Sequence, residues 1–274
     1  MPAENARGVE PLEFALVTGP GARVDGHAVW RTPCETPQGP RNLYLKSLDP
    51  RRLLIELFCS QIGRALALPI PRPYIVVARP RTIEPTFPDV TQLLFGCREE
   101  AHPALSAFTR QADEVVGILR RWTKVRDAAA FDSLIANEDR TAKNFLFGAA
   151  EHALWLIDHE DALRDTFEPG DITRNEILQL LTSGLSEFEL HKLLRDTRRA
   201  SDQAIALPLG ELDEDPAIEK ISDAARHAVG LAGFLSTRCP LLPRILLGQI
   251  NPKQQELTHI EQPARSVGRS DTPV

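Results

Sequence analysis

The chain has 274 residues, 42% of them hydrophobic, with a net charge of −6 and a pI near 5.7. That is enough apolar material for a core in one large domain or two lobes, whereas the acidic balance and scattered basic residues disfavour direct nucleic-acid binding. No apolar run approaches the roughly 20 residues that span a bilayer, and the N-terminus lacks a signal-peptide pattern. We therefore expect a cytoplasmic protein with no membrane partner.

Short apolar segments between Gly- and Pro-rich turns predict a small N-terminal sheet. The predicted strands are residues 14–19, 27–30, 42–47 and 74–78, and a further one ends near Gly96. Between the third and fourth strands, apolar residues at positions 54, 57, 58, 62, 65 and 66 have helical spacing. Asp49 and Pro50 suit the N-cap and first position of this helix.

The second half of the chain is predicted to be mainly helical, because its apolar residues recur with helical spacing. The predicted helices are residues 113–135, 174–181, 186–198, 217–235 and 240–247. The fold class is therefore α+β with two lobes: a β-rich N-terminal lobe, residues 1–97, and a helical C-terminal lobe, residues 98–250. A cleft between lobes is a natural ligand site. Residues 251–274 are polar and are predicted to be a disordered tail.

The most informative stretch is FDSLIANEDRTAKNFLFGAAEHALWLIDHEDAL, residues 131–163. Its apolar runs NFLF and LWLID flank GAAEHA, which predicts a β-hairpin. If the strands pair about a midpoint near Glu151, Asn144 lies opposite Asp158 at the open end, with Cβ atoms about 5 Å apart. One amide and one carboxylate oxygen are ligands that suit Mg²⁺ bound to a nucleoside triphosphate.

Asp139, five residues before Asn144, is predicted to reach the same cleft without binding the metal directly. An acid at this spacing fits phosphoryl transfer, in which a carboxylate orients the acceptor hydroxyl. Lys143 and Arg140 are predicted to supply positive charge near the transferred phosphate, Lys143 as a catalytic residue. Each feature alone also fits an Asx turn, a helix cap or a strand end; their conjunction favours the catalytic interpretation.

Lys46 ends an apolar strand and precedes the helix that contains Glu56. This order matches the strand Lys and helix Glu that bind the nucleotide phosphates in kinases. A solvent-exposed Lys at a strand end is the alternative. Glu56 lies on the narrow polar face of its helix, where it either pairs with Lys46 or contacts solvent. No Walker-type P-loop is present.

These residues resemble the HipA-like kinase family, which belongs to the protein-kinase and phosphoinositide-kinase superfamily. The similar motifs are NEDRTAKNFLF, WLIDHEDAL, and the strand Lys followed by a helix Glu and LPIPRP. The resemblance implies a two-lobed protein-kinase-like fold with Asp139 as the catalytic Asp, Asn144 and Asp158 as magnesium ligands, Lys46 as the ATP lysine and Glu56 as its partner. Thr141 stands where the family usually has His, and Glu160 where it usually has Gly.

The function expected from this resemblance is transfer of the ATP γ-phosphate to a Ser or Thr hydroxyl of a protein, with ATP and Mg²⁺ as cofactors. It also implies a protein substrate and, for toxin members of the family, an antitoxin partner. Three alternatives remain: a pseudokinase or nucleotide-binding interaction module, a small-molecule phosphotransferase of the aminoglycoside type, and a metal-dependent hydrolase. The sequence does not identify which molecule accepts the phosphate.

Overall fold

The structure, a computed structural model, describes residues 8–24, 28–109, 111–148 and 153–250. Its strands are β1 Phe14–Val17, β2 Ala22–Arg23, β3 Val29–Thr36, β4 Gly39–Lys46, β5 Pro73–Ala78, β6 Gln92–Arg98, β7 Phe145–Gly148 and β8 Ala153–Leu156. Its helices are α1 Pro50–Ala65, α2 Ala112–Arg121, α3 Val125–Leu134, α4 Glu176–Thr182, α5 Glu187–Ile205, α6 Ala224–Arg238 and α7 Leu242–Ile250. The α+β class is confirmed. The predicted tail, residues 251–274, lies outside the described residues.

The six N-terminal strands form one sheet in the order β1-β5-β6-β4-β3-β2, and β1 also pairs with β3. This extra pairing closes five of the strands into a ring. Trp30, Leu43, Leu45, Tyr74 and Val76 belong to a buried apolar cluster on these strands. The strand predicted at residues 42–47 corresponds to β4. The strand predicted at residues 27–30 corresponds to β3, which extends six residues beyond the predicted end at Trp30 because it pairs with β4 along its whole length.

Helix α1 begins where the sequence predicts, since the Asp49 side chain accepts a hydrogen bond from the Arg52 N–H at 3.0 Å and Pro50 takes the first helical position. Every residue from Leu53 to Gly63 is buried. The helix contacts β5 and β6 on one side and α6 on another, so it belongs to the main core that joins the sheet to the helical region. A helix covered in this way has no wide solvent-facing stripe.

The single helix predicted over residues 113–135 is wrong: two helices, α2 and α3, occupy this region. The backbone of Trp122 is extended, with φ −73° and ψ 120°, and this ends α2. The bend buries the Trp122 ring, which packs edge-to-face on Phe145 at a centroid distance of 6.4 Å. Burial of this large aromatic side chain offsets the helical hydrogen bonds lost at the break.

Two further helix boundaries differ from prediction. Helix α5 runs to Ile205, beyond the predicted end at residue 198, and begins with a capping box between Ser186 and Glu189. Helix α6 begins at Ala224 rather than at residue 217, because Asp223 has a left-handed backbone with φ +60°. Among the described residues, no helix is both long and apolar enough to cross a membrane.

Gly63 provides a test of the packing of α1. A Cβ atom at this position would lie 2.1 Å from the Ile70 Cδ1 atom and 3.2 Å from the Phe131 ring, and both neighbours are buried. We expect Gly63→Ala to lower the free energy of unfolding by about 1–3 kcal/mol through overpacking.

Gly230 is the matched control, because it also lies inside a helix but a Cβ there would meet nothing within 4 Å. Gly230→Ala should raise the free energy of unfolding by roughly 0.5–1 kcal/mol through helix propensity. Urea denaturation of both variants measures the difference, and equal shifts would contradict the close packing at Gly63.

Candidate functional site

Asp139 lies in the segment between α3 and β7 and is exposed. Its backbone N–H donates to Asn137 Oδ1 at 3.0 Å, and the Asn137 amide group donates to Asp132 Oδ1 at 3.2 Å. The backbone of Asp139 is therefore fixed by Asn137, whereas its side chain is exposed to solvent. This arrangement leaves the carboxylate accessible to a molecule that approaches the surface.

Asn144 and Asp158 come together as predicted, but the predicted strand register is wrong by one residue. In the hairpin Phe145 pairs with Leu156 and Gly148 with Ala153, so the midpoint falls between residues 150 and 151. The middle of the predicted turn GAAEHA, residues 149–152, lies outside the described residues. This register places Asn144 opposite Ile157, and the Ile157 N–H donates a hydrogen bond to the Asn144 carbonyl at 3.1 Å.

Asp158 would point to the opposite face of the hairpin from Asn144 if the strand simply continued. Instead its backbone is left-handed, with φ +64°, and the side chain turns back. The Asn144 Nδ2 group then donates to Asp158 Oδ2 at 3.3 Å. The two predicted metal ligands thus meet through a local backbone conformation rather than through direct cross-strand pairing.

Lys46, the last residue of β4, brings three carboxylates together. Its Nζ atom lies 2.6 Å from Glu56 Oε1, 2.5 Å from Asp158 Oδ1 and 3.1 Å from Glu160 Oε2. Glu56 is 1% exposed, and its second oxygen accepts a hydrogen bond from the His159 backbone N–H at 3.0 Å. Of the two alternatives for Glu56, the ion pair with Lys46 is the one observed.

The charges in this cluster stabilise one another. Burial raises the pKa of Glu56, but the Lys46 ammonium and His159 together outweigh it and hold that pKa well below the ordinary value. Burial lowers the pKa of Lys46, yet Glu56, Asp158 and Glu160 raise it overall. Burial raises the pKa of Glu160, and Lys46 opposes this only in part. Lys46 is therefore a permanent cation.

Burial lowers the pKa of His159, so this side chain is neutral at physiological pH. Its ring packs edge-to-face on Phe131 at a centroid distance of 5.6 Å, and its Nδ1 atom lies 3.4 Å from Glu56 Oε2. His159 is therefore a buried side chain that packs between Phe131 and Glu56.

The donor atoms fit a divalent cation. Carboxylate oxygens of Glu56, Asp158 and Glu160 lie within 4.8 Å of one another, and the Asp158 side chain is 43% exposed. Carboxylate oxygens of this kind are what Mg²⁺ and Ca²⁺ bind. The oxygen of Asn144 accepts hydrogen bonds from the Thr141 hydroxyl at 2.6 Å and from the Thr141 N–H at 3.3 Å. Thr141 therefore orients Asn144, and a cation would have to compete with this hydroxyl.

The prediction that Arg140 supplies charge to a transferred phosphate is wrong. Its side chain is fully buried in a two-pronged ion pair with Asp132, at 2.9 and 3.0 Å. The Asp132 carboxylate neutralises the charge of Arg140. Lys143 is exposed in the turn before β7, and its ammonium forms no ion pair within the described part of the chain. Of these two basic side chains, only that of Lys143 is exposed.

Asp132 was missed by the sequence analysis. A signal was present, because Asp132 is the sole charged residue from position 128 to 136, a stretch that is buried throughout. An isolated carboxylate in a buried helix needs a cationic partner, and Arg140 eight residues later was the nearest candidate on the C-terminal side.

A family model described as HipA-like kinase matches residues 38–188, more than half of the 274-residue chain. No match was found among curated proteins. Among solved structures, the chain is similar to the Helicobacter pylori proinflammatory kinase CtkA, with a TM-score of 0.49 and 10% identity; the match covers 84% of this chain and 97% of that chain. Since the family model spans Lys46, Glu56, Asp139, Asn144 and Asp158, the chain belongs to the HipA-like kinase family.

Proposed function

We propose that the protein is an ATP- and Mg²⁺-dependent kinase that transfers the γ-phosphate to a Ser or Thr hydroxyl of a protein. The observation that carries this proposal is the Lys46 cluster, in which β4, α1 and the end of β8 meet at one ammonium group. Lys46 and Asp158 are 112 positions apart in the chain, yet lie 2.5 Å apart. A Lys paired with a helix Glu and facing a strand-end Asp is the arrangement that kinases use for nucleotide phosphates.

Each residue has a distinct role in this proposal. Lys46 binds the nucleotide phosphates, and Glu56 holds Lys46 in position. Asn144 and Asp158 hold the magnesium ion, which when bound neutralises charge on the phosphates. Asp139 orients the acceptor hydroxyl and takes its proton, for which its exposed carboxylate is suited. Lys143 contributes positive charge beside the transferred group.

The proposed layout has two lobes, residues 1–97 for nucleotide binding and residues 98–250 with the catalytic loop. Lys46 and Glu56 belong to the first segment, whereas Asp139, Asn144 and Asp158 belong to the second. A site built from both segments is consistent with ligand binding in a cleft between them. Two surface pockets lie elsewhere, one beside Arg64 and Arg72 and one beside Pro208. The ion pairs of Lys46 with Glu56 and Asp158 connect the two segments at the site.

A specific observation favours a second candidate, a pseudokinase that binds nucleotide without turnover. Glu160 occupies a position where the family usually has Gly and contacts Lys46 at 3.1 Å. This carboxylate competes with phosphate for the same ammonium. A protein substrate and an antitoxin partner remain predictions from the resemblance.

Asp139→Asn and Asp158→Asn test the proposed roles. With labelled ATP and Mg²⁺, Asp139→Asn should reduce phosphate transfer on the order of 10²–10⁴-fold, because the acceptor loses its base. ATP·Mg²⁺ should still raise the Tm of this variant. Asp158→Asn should lose both transfer and the Mg²⁺-dependent part of the Tm increase.

Asp161→Asn is the matched control, since Asp161 is an exposed neighbouring acid paired with Arg52; it should behave as wild type. Nucleotide-dependent stabilisation of the wild type without transfer to itself or to proteins would select the pseudokinase. Transfer that survives in Asp139→Asn would contradict the role of that residue.

Glu160→Gln tests the competition at Lys46. Removing one of three carboxylates frees the ammonium for phosphate, and an interaction of about 1 kcal/mol corresponds to a KM for ATP roughly three- to tenfold lower. Steady-state kinetics or nucleotide titration followed by Tm measures this. Asp161→Asn removes the same charge one residue further along and should leave the KM unchanged. A higher KM in Glu160→Gln would mean that Glu160 assists binding instead.

A further inference from the structure

Asp132 lies beneath the candidate site and is bonded through both oxygens. Its Oδ2 atom accepts from Arg140 Nε at 3.0 Å, and its Oδ1 atom accepts from Arg140 Nη2 at 2.9 Å and from Asn137 Nδ2 at 3.2 Å. The side chains of Asp132 and Arg140 are both 0% exposed. The carboxylate is thus committed to two side chains of the segment that precedes β7.

Arg140 links Asp132 to the β7–β8 hairpin, and we call this Asp132–Arg140 ion pair the anchor. Its remaining terminal nitrogen, Nη1, donates to the Asn144 carbonyl at 3.2 Å and to the Ile157 carbonyl at 2.8 Å. The second carbonyl belongs to the peptide directly before Asp158. One guanidinium group therefore fixes the backbone on both sides of the hairpin mouth, at the two residues proposed to hold the metal.

Asn137 carries the same anchor to the third proposed residue. Its amide nitrogen donates to Asp132, and its amide oxygen accepts from the Asp139 N–H at 3.0 Å. Asp132 is therefore connected by one intervening side chain to the backbone at or beside Asp139, Asn144 and Asp158. These three residues are separated by up to 19 positions in the chain.

Such a buried ion pair is poorly explained by stability alone, because desolvation of two charges offsets most of their attraction. Its value lies in geometry, since the planar fork of Arg fixes two carboxylate bonds and leaves further donors in defined directions. A Lys at this position has no such fork.

We infer that Asp132 and Arg140 are positioning residues for phosphoryl transfer, which hold Asp139, Asn144 and Asp158 in register. The inference rests on the proposed function. Arg140 acts on the metal ligands, whereas Asn137 acts on Asp139. Neither side chain contacts Lys46. The ion pair of Lys46 with Glu56 stands apart from Asp132 and Arg140, and Asp158 is the residue that links the two groups.

The test compares Arg140→Lys, Asp132→Asn and Asn137→Ala. Arg140→Lys and Asp132→Asn should lower kcat roughly 100-fold, as displacement of reacting groups by about 1 Å does. They should raise the Mg²⁺ concentration that gives half-maximal activity and, at saturating Mg²⁺, leave the KM for ATP within about threefold, because Lys46 keeps its ion pair with Glu56. Asn137→Ala should lower kcat without changing the Mg²⁺ requirement. The Asp132→Asn/Arg140→Lys double variant should lose little more than either single variant.

Arg238→Lys is the control for a structural effect. Arg238 is also fully buried and donates to carbonyls of Ser133, Pro169 and Asp171, outside residues 137–158. It should lower Tm without the change in Mg²⁺ requirement. Asn137→Ala leaves the ion pair in place and keeps the inference testable if Asp132→Asn does not fold.

Amide hydrogen exchange measures the anchoring without turnover. In Arg140→Lys and Asp132→Asn, the Ile157 N–H, which bonds the Asn144 carbonyl, should exchange faster than in wild type at equal global stability. Unchanged exchange and a kcat near wild type would overturn the inference, as would an equal kcat loss in Arg238→Lys. A wild type without transfer activity would instead overturn the proposed function, and the catalytic part of the inference with it.

Discussion

The Lys46 ammonium brings three separate parts of the chain together at one point. It joins the end of β4 to α1 through Glu56 and to the end of β8 through Asp158. Glu56 is 1% exposed, so without Lys46 it would be an uncompensated buried charge. Removal of one partner from a buried pair typically costs about 3–5 kcal/mol. The position of α1 between the sheet and the helical region therefore depends on this charge as well as on the apolar core.

A second group of charges, the ion pair of Asp132 with Arg140, is fully buried, and Arg140 contacts the hairpin through the Ile157 carbonyl. The two groups of charges differ in their net charge. Asp132 and Arg140 balance each other, whereas Lys46 faces three carboxylates. Lys46 and its three carboxylates therefore carry a net negative charge, and such a group of side chains attracts cations. This electrostatic balance agrees with the metal-dependent chemistry that we propose.

Much of the architecture was predictable, because it depends on local rules. Asp49 and Pro50 mark the start of α1, and the apolar runs around Lys46 and Tyr74 mark strands. The hairpin and the convergence of Asn144 with Asp158 were also predictable. The break at Trp122 was not, since periodicity continues through it and only the burial of the ring against Phe145 favours two helices. The hairpin register was missed by one residue, because register depends on the turn and not on the apolar pattern alone.

The sequence by itself determined the candidates for the chemistry: residue types and their order along the chain single out Lys46, Glu56, Asp139, Asn144 and Asp158, whose roles we propose. Tertiary structure decided how Lys46, Glu56, Asn144 and Asp158 meet. The left-handed backbone of Asp158, the burial of Arg140 on Asp132 and the contact of Glu160 with Lys46 all depend on contacts between residues distant in sequence or on a single φ angle. Spacing encodes periodicity along one element, but burial and charge pairing are properties of several elements packed together, and therefore only the folded chain defines them.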